Sequence, residues 1–256
     1  MIFSTARRRL TFTAAVVLVG AACGTKEASD PLRPTTGQGR IRFVNLITDP
    51  ARNPVNAILE GLPFGVNLAY TGTTPSSLPA PSTANFSPIL EGPRTLVLKK
   101  TADTTVTVAS IPVTIGAGTD YTVFATGGSA GSTVTGFTAG DNNPAVAAGQ
   151  ARIKFINMSP AAGAVDVFVT AEGANLATAT PAFANVAVRA PTTGVTLAAG
   201  TYSVRTVPAG TAAGARAAAV TSTTAITVAS TNGRTVVLAD AAAGGTPLRT
   251  VVLTDQ

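Results

Sequence analysis

The chain has 256 residues, with 18 lysines and arginines against 12 acidic side chains, one cysteine, and neither histidine nor tryptophan. Lacking histidine, it cannot use Ser-His or Cys-His nucleophilic catalysis or a histidine-containing metal site. Beyond residue 22 the only adjacent basic residues are Lys99 and Lys100, so the clustered footprint of a nucleic-acid binder is missing and no nucleic-acid partner is expected.

Arg7, Arg8 and Arg9 precede an apolar run from Leu10 to Ala22 that closes on Gly20, Ala21, Ala22 and Cys23. A basic segment, a short apolar segment and small residues before a cut are the parts of an export signal. The run is well short of the roughly 20 residues needed to cross a bilayer as a helix. The pattern resembles the lipobox of bacterial lipoproteins, which implies that Cys23 is acylated and becomes the new N-terminus. Gly20 stands where that pattern usually has leucine. Gly20 and Ala22 also suit ordinary signal peptidase, which would leave a secreted chain with a free thiol. A basic n-region accounts for the arginines better than a twin-arginine signal. The 18 basic side chains less the three leader arginines leave 15 against 12 acidic ones, a net charge of +3. Residues 1–22 are therefore expected to be a lipoprotein signal peptide and Cys23 the membrane anchor. Localisation follows as the cell envelope outside the cytoplasm, at the outer membrane or cell surface, since Gly24 stands where an acidic residue often signals inner-membrane retention. Residues 23–38, rich in Thr, Pro and Gly, have no apolar face to bury and read as a flexible tether.

Next comes a repeat. Gly37 to Leu46, reading GQGRIRFVNL, recurs as GQARIKFINM from Gly149 to Met158, 112 residues on. Val113 to Val123 aligns with Ile226 to Val236 at a spacing of 113. Two matches at nearly one offset indicate duplicated domains of ordinary size, about 110 residues each.

Within each copy the period is two. Ile41 and Phe43 alternate with Arg40 and Arg42, and Ile153 and Phe155 with Arg152 and Lys154, the signature of half-buried strands with the basic residues outward. Further strand-like runs are 95–98, 105–109, 121–125, 133–137, 165–169, 201–205, 235–238 and 250–253. Between them stand Gly and Pro turn signals, including Asn232-Gly233, a candidate two-residue hairpin. Ala212 to Val220 is alanine-rich but interrupted by Gly214, and reads as a loop. The expected fold is all-β: two tandem immunoglobulin-like β-sandwich domains, residues 39–139 and 150–256, joined by a 140–149 linker, after the signal peptide and tether.

Each copy resembles the bacterial domain-of-unknown-function family 4397, over nearly all of residues 39–256. The resemblance rests on Arg152 to Asn157, Ser159-Pro160, Val165 to Val169 and Ala199 to Val204 in the second copy, and on Arg40 to Asn45 and Gly118 to Val123 in the first. The first copy departs from the pattern at Asp49-Pro50 and Val55 to Leu59, and the second lacks the tyrosine at Gly233 to Val236. The resemblance implies an exported β-domain and no particular activity.

Functional residues are sparse. Glu60, Glu91, Asp120 and Asp166 could supply two carboxylates for glycoside hydrolysis, but neither spacing nor motif pairs them. Asp141-Asn142-Asn143 has oxygen ligands suited to calcium but lacks the regular spacing of a calcium loop, and a turn is favoured. Asp166, matched by Asn56 in the first copy, is either a recognition residue on an outward strand face or a polar residue pairing with a neighbouring strand. Asp166 and Arg205, or the stripe Arg40, Arg42, Arg152 and Lys154, are the candidate ligand-binding residues, while an exposed basic stripe also protects a strand from edge pairing. With no tryptophan and three tyrosines, a dedicated sugar-stacking platform is disfavoured. No cofactor or metal is expected. The expected function is a non-enzymatic, lipid-anchored envelope protein with a structural, adhesive or ligand-presenting role, the alternative being a binding module for a polysaccharide or other surface polymer. Expected partners are the membrane, through Cys23, and a surface polymer or envelope protein.

Overall fold

The first half of the chain is built from β1 (Gln38–Ile47), β2 (Val55–Leu59), β3 (Leu62–Leu68), β4 (Thr73–Thr74), β5 (Ser87–Leu90), β6 (Gly92–Lys100), β7 (Asp103–Ile115), β8 (Asp120–Gly127) and β9 (Val134–Asp141). The second half has β10 (Gln150–Asn157), β11 (Val165–Thr170), β12 (Phe183–Val186), β13 (Ala190–Pro191), β14 (Val195–Ala198), β15 (Gly200–Pro208), β16 (Ser222–Val228), β17 (Gly233–Ala239) and β18 (Arg249–Thr254). The computed structural model describes residues 37–75 and 85–255. The signal peptide, Cys23 and the tether up to residue 36 lie outside the described residues. Among these, no helix is long and apolar enough to cross a membrane.

The topology repeats strand for strand. In the first half, β4-β1-β8-β9 form one sheet with β5 also on β1, and β3-β2-β6-β7 form the facing sheet. In the second half, β13-β10-β17-β18 with β14 on β10 repeat the first, and β12-β11-β15-β16 repeat the second. Each half has one parallel pair, β1 with β8 and β10 with β17, in otherwise antiparallel sheets. This arrangement corrects one expectation. Asn232-Gly233 does not close a hairpin, because β16 and β17 belong to different sheets and the turn carries the chain from one to the other.

Period-two alternation fills each sandwich. Ile41, Phe43, Val55, Leu96, Leu98 and Val123 pack between the first two sheets, and Ile153, Phe155, Val165, Val167, Val236 and Leu238 between the second two. Burying one such side chain stabilises by about 1.5–3 kcal/mol. Where β7 crosses β9, Gly136 lets the strands meet: a Cβ there would lie 2.3 Å from Ile111 Cγ2.

A third core joins the halves. Val44, Leu46 and Phe124 from the first sandwich cluster with Ile156, Met158, Val237 and Leu253 from the second. β1 is therefore buried along both faces, with every residue from Gly39 to Ile47 buried, and the described residues make one compact unit. The expected linker is correspondingly shorter. β9 runs to Asp141, and Asn143 is buried. Arg189 spans the junction, donating from Nη2 to Thr135 Oγ1 at 2.6 Å and to Thr126 Oγ1 at 3.2 Å. Tyr70 donates across it to the Asp240 carbonyl.

Two buried asparagines, equivalent in the repeat, fasten the ends of β1 and β10. Asn45 Nδ2 donates to the carbonyls of Leu68 and Ala69 and its Oδ1 accepts from Ile47 N. Asn157 Nδ2 donates to the carbonyls of Gly163 and Val186 and its Oδ1 accepts from Ser159 N. Both side chains are fully buried, so each satisfies loop carbonyls and an amide that water cannot reach.

Candidate functional site

The alternation that turns Ile41 and Phe43 inward turns Arg40 and Arg42 to the other face of β1, and the same alternation places Arg152 and Lys154 on the other face of β10. Those faces meet each other instead of solvent. Three carboxylates converge on them: Asp120 at the start of β8, Asp141 at the end of β9, and Asp255 just past β18.

Arg40 clasps Asp120 in a bidentate pair, Nε to Oδ1 and Nη2 to Oδ2, both 2.6 Å. Arg42 crosses to the second sandwich, with Nη2 2.8 Å from Asp255 Oδ1 and Nη1 2.8 Å from the Thr254 carbonyl, while its Nε donates to Thr122 Oγ1. Lys154 crosses the other way. Its Nζ lies 2.9 Å from Asp141 Oδ2 and 2.6 Å from Asn143 Oδ1, and also 3.2 Å from Asp255 Oδ2. Arg152 Nη1 adds a longer contact to Asp141 at 3.3 Å. The Phe86 ring lies against both guanidinium groups, 4.4 Å from Arg42 Cζ and 5.2 Å from Arg40 Cζ, a cation–π arrangement.

Burial sets the electrostatics of the cluster. It pushes the Asp255 carboxyl up, but the charges of Arg42 and Lys154 and the hydrogen bonds from Thr235 and Arg42 outweigh it, holding Asp255 below the usual carboxylate range. At Asp141, burial is likewise overcome by Lys154, Asn143 N and Arg152, and its value is lowered. Burial lowers the Arg42 value against the pull of Asp255 and Asp120. Charges desolvated this far are tolerated because each has a partner at hydrogen-bond distance.

The space enclosed by the cluster has little room for a ligand, although Arg42 also borders a cavity of about 220 Å³ on its other side, with Thr71, Thr73, Asn85 and Thr254. The cavity bordered by Arg42, Phe86, Asp120, Asp141 and Lys154 holds about 30 Å³, water-sized and far below the several hundred Å³ of a metabolite site. The Asp141 and Asn143 oxygens are not arranged around an open cation position; the Lys154 ammonium occupies the place between them. Among the described residues, no group of three or more acidic, histidine or cysteine side chains is placed to hold a metal ion.

The basic stripe is thus not an exposed strand face. Arg40, Arg42 and Lys154 are buried because a second sheet covers the side of β1 and β10 that alternation marks as outward. Asp166 is also buried, contrary to its expected outward exposure, and accepts from Asn185 N at 2.8 Å and Gly210 N at 3.2 Å. Its counterpart Asn56 accepts from Asn67 N at 2.8 Å and Thr101 Oγ1 at 3.0 Å. Both act as strand-pairing polar residues. Arg205, half-buried, donates from Nη2 to Thr170 Oγ1 and the Ala174 carbonyl. Its Nε is the one buried side-chain polar atom without a hydrogen-bond partner among the described residues.

Asp166 and Arg205 lie on one face of the β11-β15 pair, whereas Arg40 and Arg42 lie in the junction, so the candidates form two separate groups. The face bearing Asp166 and Arg205 is itself roofed. Phe168, Leu176 and Val207 form a small core there, and Arg216 stacks over Phe168 at 5.1 Å while donating to the carbonyls of Leu176 and Ala179. Two segments supply that roof: the connection between β11 and β12, with Leu176 and Ala179, and the alanine-rich segment from 212 to 220, with Arg216, Val220 and a short 3-10 turn at Ala213–Ala215. Of the four carboxylates weighed for hydrolysis, Asp120 is bound by Arg40 and Asn143, Asp166 by two backbone amides, and Glu60 pairs loosely with Arg94 at 3.9 Å.

Sequence reasoning did not reach Asp255, the pairing of Asp141 with Lys154 across the junction, or the two asparagine clamps. A signal for them exists in the repeat: Asp141 and Asp255 both stand at the end of the last strand of their copy, and Asn45 and Asn157 both stand near the end of the first.

Residues 50–168 match the model of DUF4397, a domain of unknown function. The DUF4397 match begins after β1 and ends within β11, so it is narrower than the resemblance carried by the strand motifs, and it crosses from the first sandwich into the second. Among curated proteins none matches the sequence. Among solved structures, the chain is similar to CBMbc, a family CBM26 module from Eubacterium rectale Amy13K in complex with maltoheptaose, at 13% identity over 86% of this chain and 97% of that one, with a TM-score of 0.26. It is also similar to family 41 carbohydrate-binding modules from streptococcal virulence factors that recognise alpha-glucan, at 10% identity over 78% of this chain and 92% of that one, with a TM-score of 0.21. At such scores these likenesses carry no argument about ligand.

Proposed function

We propose that the chain is a non-enzymatic, exported, lipid-anchored protein of the cell envelope in which two sandwiches act as one rigid body with a structural, adhesive or ligand-presenting role. The observation that carries this reading is the reciprocal pairing of Arg42 with Asp255 and Lys154 with Asp141. Among the described residues, the most concentrated set of ionisable groups is spent on holding two scaffolds together, and the space its carboxylates and Lys154 enclose is water-sized. Export and anchoring rest on the basic, apolar and small-residue sequence that ends at Cys23.

The anchor is tested by detergent partitioning and palmitate labelling of the full chain in a bacterial host. The wild-type protein enters the detergent phase and takes up label, and Cys23→Ser abolishes both; an unlabelled wild-type chain in the aqueous phase contradicts the anchor. The role is tested on the full chain against a glycan array and purified peptidoglycan. Turnover of any polymer overturns the non-enzymatic reading. Saturable binding to any of these polymers makes the protein a polymer-binding module instead of a scaffold.

A further inference from the structure

We infer that the tip of the first sandwich at which the chain enters the fold docks on the phospholipid bilayer, inserting Leu62 and Leu90 among the lipids. Such docking rests on the anchored reading of the chain. Leu62 is 69% and Leu90 60% exposed, whereas every other leucine among the described residues is buried or half-buried. The two share one surface. Leu62 opens β3 directly after the Glu60-Gly61 turn and Leu90 ends β5, and the Arg94 guanidinium joins the two loops, donating to the Leu90 carbonyl at 3.0 and 3.2 Å and lying 3.9 Å from Glu60 Oε2. Pro63 and Pro93 beside them are exposed as well. Val66, 60% exposed, carries the apolar surface on along the edge strand β3.

The chain reaches the fold at this tip. Gln38 pairs with Leu90 across β1 and β5, and the Gly37 carbonyl accepts from Glu91 N at 2.9 Å. Gly37 lies 14 residues after Cys23, a length that spans no more than about 50 Å even fully extended. Anchoring at Cys23 therefore holds this tip close to the bilayer, at an effective concentration that lets a small apolar contact form.

The second copy lacks the same surface. Gln150, equivalent to Gln38, pairs with Ala198 where Gln38 pairs with Leu90, and the tight turn before Leu62 is replaced by the 171–182 connection, whose Leu176 is buried in the small core under the roof. Of the five large exposed hydrophobic side chains among the described residues, only Val252 belongs to the second copy. Scattered apolar residues are ordinary on a protein surface; a pair at the point of chain entry, absent from the sister copy farther along the chain, fits a surface that meets hydrocarbon. Glu60 and Glu91 border the tip, so the contact is apolar and suits a zwitterionic bilayer better than an anionic one.

The chain has no tryptophan, so a single introduced one reports on its own position. The chain from Gly24 onward, which keeps the whole compact unit, is given hexahistidine in place of Cys23 and captured on phosphatidylcholine vesicles carrying a nickel-chelating lipid. Docking is then read whether or not Cys23 is acylated, while palmitate labelling of the natural chain reads the anchor separately. On capture, Leu62→Trp and Leu90→Trp should each shift emission to shorter wavelength and be quenched when brominated phosphatidylcholine replaces the ordinary lipid. Val106→Trp, on β7 toward the end opposite Gly92, should keep a solvent-exposed spectrum. All three side chains are exposed, so the replacements leave the cores intact. Solvent-like, unquenched emission from both leucine positions on the captured chain overturns the inference. So does a shift that grows with protein concentration in the absence of vesicles, which would make the tip a contact between copies.

Discussion

Arg42 and Lys154 stand at equivalent positions in the two copies of the repeat, and each reaches across the junction to the carboxylate at the end of the other copy's last strand, at 2.8 Å to Asp255 and 2.9 Å to Asp141. Asp255 also touches Lys154 at 3.2 Å. One buried carboxylate thus serves both cations.

Removing it leaves buried Arg42 without its carboxylate and Lys154 with Asp141 alone. Asp255→Ala is expected to destabilise the chain by about 3–5 kcal/mol in urea or guanidinium unfolding, the range for breaking a buried pair from one side. Glu60→Ala, which removes a loose pair with Arg94 from its half-exposed side, should cost no more than about 1 kcal/mol.

Asn157→Ala removes the acceptor of Ser159 N and the donor to the Gly163 and Val186 carbonyls. Leaving such buried groups unmatched costs about 1–3 kcal/mol each. Asn45→Ala should behave alike in the first sandwich. Urea midpoints of the two variants check this, and near-wild-type midpoints would show that water replaces the clamp.

Much of this was legible in the sequence. Ile41 and Phe43 facing one way, repeated by Ile153 and Phe155, predicts paired strands and duplicated sandwiches, and the strands lie where the alternation places them. The fate of the other face was not legible. Alternation reports that Arg40 and Arg42 oppose the core of their own sheet, but covering that face is a property of the second copy, more than a hundred residues away. A cation over a solvated surface and a cation over a carboxylate of another domain have the same local pattern. For the same reason Asp141 read as part of a turn, since its partner is fixed only when β9 and β10 are brought face to face. Asp166 read as outward because the amides it accepts from, Asn185 N on the four-residue strand β12 and Gly210 N in the turn after β15, belong to segments with no legible periodicity.

Acid should loosen the junction. Asp141 and Asp255 both titrate below their ordinary value of 3.8 in the folded chain, so folding favours their charged forms. That contribution is complete above the ordinary value and is lost as pH falls below it, through the lowered folded values. Stability measured by chemical unfolding should be flat from neutral pH to about 5 and then fall. In Asp141→Asn the acid loss should be shallower.

Leu253→Ala empties space in the shared apolar cluster without touching either sandwich core. A loss of about 2–5 kcal/mol is expected. Val252→Ala, on the exposed side of the same strand, serves as the control and should shift the midpoint little.

Differential scanning calorimetry of the intact chain tests most directly whether the two sandwiches are one body. A single transition is predicted, with calorimetric and van't Hoff enthalpies equal, resolving into two transitions when Arg42→Ala and Lys154→Ala are combined. Two independent transitions in the unmodified chain would contradict the account.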